Sequence, residues 1–167
     1  MNKNYKIAYI ALFIAVSLVF SYIESLIPIN YGIPGVKLGL ANVVSVISLY
    51  LFGELYTIIV LTARILLSGF LFGNLYGIIY SLAGGILSFV IMAVCKKTNV
   101  FSMIGISILG GVFHNIGQLL IAIMTVRQLR FMYYCPVLII SGLVMGTIIG
   151  IICKGVYKRV ETYVRLW

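Results

Sequence analysis

The chain contains no aspartate, and its three acidic residues are glutamates far apart at Glu24, Glu54 and Glu161. Chemistry that holds Mg²⁺ with clustered carboxylates is therefore not expected of this chain alone. There is one histidine, His114, with no serine, cysteine or acid close by in sequence, which argues against nucleophilic catalysis. No GxxxxGK[ST] phosphate loop occurs, so ATP hydrolysis of that kind is excluded. The cysteines (Cys95, Cys135 and Cys153) are odd in number and lack metal-ligand spacing, so they read as small apolar residues near helix ends. Nothing points to a resident metal or cofactor, and no catalytic residue stands out. Charge is scarce too. Only 9% of residues carry one, which excludes an ordinary soluble domain.

What is present is apolar length. The chain is 63% hydrophobic, with a mean hydropathy of +1.19. Apolar runs recur along all 167 residues, and no polar stretch is long enough for a soluble domain. At about 20 residues per spanning helix, roughly six fit. The expectation is an all-α, six-helix membrane protein, with residues 1–167 forming one integral domain.

A net charge of +9 invites a nucleic-acid reading, but its distribution argues against one. Lys3 and Lys6 precede the first apolar run, Lys96 and Lys97 divide the fourth from the fifth, and Lys154, Lys158, Arg159 and Arg165 follow the last. With six spans these positions share one side, while Lys37, Arg127 and Arg130 lie on the other. That asymmetry predicts cytoplasmic termini and a multi-pass protein in a lipid bilayer, with no nucleic-acid partner. The first run is longer than a signal-peptide core and lacks a cleavage site, so it reads as the first helix.

Turn signals divide the runs. The first helix covers about Tyr5 to Ile27 and stops at "PINYGIPG". A short second helix covers about Leu38 to Phe52, and Gly53-Glu54 turns into a third that ends near Phe72. After Gly73-Asn74 the fourth runs to Cys95, the fifth from about Phe101 to Val126, and the sixth from Met132 to about Cys153. "RQLR" reads as a loop, and the basic tail "KGVYKRVETYVRLW" as an amphipathic segment on the inner membrane surface. Gly77, Ser81, Gly84, Gly85 and Ser88 in the fourth helix, and Gly142, Gly146 and Gly150 in the sixth, predict close helix packing.

Against this background "GGVFHNIGQL" stands out. At about 100° per residue, Gly111, His114, Asn115, Gln118 and Ala122 share one sector, which Ser107 and Thr125 extend. Polar groups in hydrocarbon must face other helices, water or a ligand. Interhelical hydrogen bonds and a binding site are both open readings; the number of polar groups favours the site. The first helix adds Ser17, Ser21 and Glu24 on one face, and the third adds Thr57, Arg64 and Ser68. An arginine at mid-span costs about 2.5–3.5 kcal/mol on insertion scales and calls for a partner. Glu24 is the obvious one by charge, but counting from the inner ends puts it roughly 12 Å nearer the outside. The alternatives are backbone carbonyls, polar side chains or an anionic group on a ligand. A proton or ion path through Glu24, Arg64 and His114 is disfavoured because these residues are few and dispersed.

The stretch "GIPGVKLGLANVVSVISLYLFG" (32–53), with its "KLGLAN" motif, resembles the Gx transporter family, also described as heptaprenyl diphosphate synthase component I. The resemblance extends over most of the chain, including "GGVFHNIGQL". That family is similar in fold to the S components of energy-coupling-factor (ECF) transporters. The resemblance implies a bacterial plasma-membrane protein, not an enzyme. It would bind a small vitamin-like or anionic solute near the outer face and pass it to an ATPase and coupling-protein module. It further implies that Ala11 and Ala15, within "ALFIA", form a docking face for the coupling protein. The solute would meet His114, Asn115 and Gln118, with Glu24 and the segment Lys37 to Asn42 closing the site and Arg64 available to an anion. The alternative is a non-catalytic membrane partner of a heptaprenyl diphosphate synthase complex, since the aspartate-rich motifs of such synthases are missing.

Overall fold

The computed structural model describes residues 3–26 and 39–165, with side-chain surroundings for 6–26 and 39–162. Among these residues the secondary structure is entirely helical: α1 Lys3–Leu26, α2 Leu40–Leu51, α3 Glu54–Phe72, α4 Leu75–Lys97, α5 Met103–Val126 and α6 Cys135–Arg165. A 3-10 segment, Leu129–Tyr134, leads into α6. Five helices are long and apolar enough to cross a membrane; α2 is the shorter one. Their outward positions carry large apolar side chains such as Phe70, Leu71, Ile140 and Ile151, as a lipid-facing bundle requires.

Local chemistry sets most boundaries. Asn74 caps α4 by accepting the Gly77 amide at 2.8 Å, and Ser102 caps α5 by accepting that of Gly105 at 3.2 Å. Gly53, at φ +83°, makes the α2–α3 turn. Pro136 sits in the first turn of α6, where its missing N–H costs little, so the helix starts at Cys135 rather than Met132. The expected surface tail is a correction. As far as Arg165 it is not a separate segment but the continuation of α6, because residues 155–165 contain no proline and only one glycine to interrupt the ladder. At 31 residues α6 is about 46 Å long, more than a hydrocarbon core of about 30 Å.

The helices alternate in direction, so one end of the bundle gathers the basic residues. There Lys96 Nζ donates to the Leu49 carbonyl at 2.6 Å and lies 5.0 Å from the Tyr50 ring, while Lys97 pairs with Glu54 at 3.1 Å. Tyr50 meets Tyr157 edge-on, and Phe13 meets Phe52. Above this end a core of Val43, Val46, Ile47 and Leu49 packs on Met92, Ile106, Ile149 and Cys153. The most extensive contacts join α5 to α6 and α4 to α5; α1 touches α2 and α3.

Helix α2 covers 12 residues, about 18 Å, and begins at Leu40 rather than Leu38. Gly39 stands in the left-handed region at φ +71° and has no side chain to cap the helix. A Cβ there would approach the Asn42 amide at 3.2 Å and Ile149 at 3.3 Å. Ile149 is 14 residues into α6, so α2 starts deep in the bundle, well below the end where α6 begins.

Candidate functional site

The polar residues singled out in sequence fall into two groups separated by α4. Gly85 packs on Leu61 and Ile65 of α3, whereas the adjoining Gly84 packs on His114 and Gln118 of α5. Consecutive glycines thus let α4 lie close to both neighbours and form the wall between the groups.

The first group surrounds the start of α2. Glu24, half-buried near the end of α1, accepts the Gly39 amide at 2.5 Å. Ser21, one turn before it, has a buried hydroxyl without a hydrogen-bond partner. Asn42 is half-buried in the first turn of α2, its backbone N–H donating to the Gly39 carbonyl at 2.8 Å. Arg64 is 8% exposed, and its Nε and Nη2 make no hydrogen bond. Glu24 is close enough for its charge to act on the guanidinium, yet no salt bridge joins the two among the described residues. Lys37 lies outside the described residues.

Thr57 and Ser68, expected on the Arg64 stripe, bond locally. Thr57 Oγ1 donates to the Gly53 carbonyl at 2.8 Å and lies 3.1 Å from Ser48 Oγ; Ser68 bonds the Ile65 carbonyl. Ser17 is fully buried and donates to the Ile14 carbonyl. These hydroxyls are satisfied. Arg64 is not.

The second group lines α5. Asn115 is buried and its Nδ2 donates to the Leu138 carbonyl of α6 at 2.8 Å, an interhelical bond. Gln118 is 4% exposed, and its Oε1 has no partner. His114 is half-buried against Gly84. Asn115 and Gln118 line a cavity of about 20 Å³ with Tyr80, Leu119, Ala122 and Phe131, Tyr134 and Leu138. That volume holds one water-sized molecule. Sequence periodicity on α5 found the two amides but missed the tyrosines, which come from α4 and from the 3-10 segment. Ser107 is buried at one end of the stripe, and Thr125 is exposed at the other.

Ala11 and Ala15 are both exposed, one above the other on α1. Ser17 is the one fully buried side chain among those described on this helix. No group of three or more histidine, cysteine, aspartate or glutamate side chains among the described residues is arranged to hold a metal ion.

The profile of the family described as heptaprenyl diphosphate synthase component I matches residues 13–156. No curated protein and no solved structure matches the chain.

Proposed function

Because the chain belongs to the heptaprenyl diphosphate synthase component I family, a membrane component role is its starting point, and we propose that the component binds a solute. In this reading it is the S-component-like subunit of an ECF-type transporter, spanning the membrane six times with both termini cytoplasmic. It captures a small vitamin-like or anionic solute from the outer side and depends on a separate ATPase and coupling-protein module. It has no catalytic activity of its own. The observation that carries the proposal is Arg64, a buried cation at mid-helix with two unmet donors. Leaving such a group unpaired costs several kcal/mol, so its retention makes sense where a ligand supplies the partner. The exposed Ala11–Ala15 face supports the second half of the reading, since small residues let another helix approach closely.

The family description favours one other reading, a non-catalytic membrane partner of a prenyl synthase. Affinity purification from native membranes separates the two. Co-purifying ATPases and a coupling protein, with a small molecule retained in native mass spectrometry, are expected for the transporter subunit. A soluble prenyl synthase as the stoichiometric partner, with no retained solute, would replace that reading with the other.

A further inference from the structure

We propose that Arg64 and the first turn of α2 form an anion seat inside the bundle, which Glu24 occupies until an anionic group of the solute displaces it. The inference rests on the solute-binding reading and specifies which part of the solute the protein grips.

The contact between Thr57 and Ser48 fixes how α2 and α3 lie against each other. Residues seven apart on a helix return to nearly the same face, two turns along. Seven residues onward from Thr57 is Arg64; seven back from Ser48 on antiparallel α2 is Ala41, in its first turn. Arg64 therefore stands level with the N-terminal end of α2, within range of the charge of Glu24, which bonds the Gly39 amide there. That end carries positive partial charge from its free amides, and the glycine at its cap position supplies no side-chain acceptor. The acceptor comes from α1, as the carboxylate of Glu24 on the Gly39 amide.

Nε and Nη2 share one edge of a guanidinium and present parallel N–H bonds, the edge that a carboxylate or phosphate takes with two oxygens. Both are unmet in Arg64, whose side chain is more than nine-tenths buried. The Ser21 hydroxyl, on the Glu24 face, adds a further unmet donor. Donors thus outnumber acceptors around α2. Glu24 satisfies the helix terminus but leaves the arginine edge open, whereas an oxyanion between them satisfies both. A second negative charge beside Glu24 is unfavourable, so the incoming anion competes with that carboxylate rather than joining it. Glu24 acts as a stand-in that keeps the empty seat neutral overall.

The test uses the full chain in detergent micelles, with isotope-labelled arginine and glycine read by NMR. Loss of a signal in Arg64→Lys assigns the Arg64 Nε–H resonance. Sodium formate and inorganic phosphate serve as probes, each at constant ionic strength against sodium chloride. The expected result is a saturable shift of Arg64, distinct from the exposed arginines, with the Gly39 amide moving at the same half-saturation as it loses its carboxylate. Saturation by formate identifies a carboxylate solute; saturation by phosphate identifies a phosphate ester. Glu24→Gln keeps a hydrogen-bond acceptor and removes the charge, so half-saturation should fall by about five-fold or more. An Arg64 signal that moves only in parallel with the exposed arginines overturns the seat. A Gly39 amide that stays put while Arg64 responds overturns the displacement. A neutral solute retained in native mass spectrometry, with Arg64 silent to both probes, overturns the seat while leaving solute binding intact.

Discussion

The α4–α5–α6 side of the molecule and the α1–α2–α3 side solve the same problem in different ways. On the first, glycines bring backbones into contact: a Cβ on Gly146 would stand 2.6 Å from the Ile108 backbone, and one on Gly117 would stand 2.8 Å from the backbone of Ala83 and Gly84. Such surfaces gain dispersion energy over their whole length and have no slack. On the second, α1 buries almost none of its side chains, α2 begins inside the bundle, and a buried arginine lacks partners. One side is a rigid scaffold. The other holds the unpaired buried arginine, and motion or ligand entry costs least there.

The largest expected effect comes from breaking the scaffold. Gly146→Leu drives a side chain into backbone that cannot retreat, and overpacking of this kind costs about 3 kcal/mol or more. The thermal unfolding midpoint in micelles should fall steeply, or the protein should fail to accumulate. A midpoint close to the native value would mean that the α5–α6 seam is looser than its geometry.

The two amides on α5 sharpen the contrast at closer range. Asn115→Leu removes the bond to the Leu138 carbonyl and should destabilise the empty protein by about 1 kcal/mol. Gln118→Leu removes an oxygen that has no partner, so it should leave the empty protein as stable as before or slightly more so. If the solute reaches this cavity, the same change weakens its binding by about 1–3 kcal/mol. Equal loss of stability in both variants would reduce the α5 stripe to packing alone.

At the basic end, Lys96→Met removes the ammonium that satisfies the Leu49 carbonyl in the last turn of α2. The side chain is partly exposed, so the expected loss is about 1 kcal/mol, diminishing as salt is added. Salt-independent destabilisation would point to lost packing against Tyr50 instead.

The smallest effect on stability belongs to the open side. Ala11→Trp and Ala15→Trp add bulk at exposed positions of α1, so the unfolding midpoint should move by less than about 0.5 kcal/mol equivalent. Co-purification with a coupling module should nevertheless drop. Undiminished co-purification with a confirmed module would remove this face from the docking model.

Periodicity and composition alone identified the helices and the small-residue faces, because hydrophobic length and glycine spacing are local properties of the chain. The turn at Gly53 and the caps at Asn74 and Ser102 are local in the same sense. The polar stripes were legible as stripes, since helical geometry alone puts His114, Asn115 and Gln118 on one sector. Their roles were not legible. Asn115 meets a carbonyl 23 residues away, and Glu24 meets an amide 15 residues away; neither partner advertises itself, because a backbone group looks the same at every position. Counting residues from the helix ends set Glu24 apart from Arg64, yet α2 begins low enough in the bundle for Glu24 to reach its first amide. The tertiary structure alone decided that α4 divides the polar residues into two groups and that Arg64 is buried with two donors unmet. Helix register and neighbour order arise from how whole faces interlock, and no single segment of sequence contains that information.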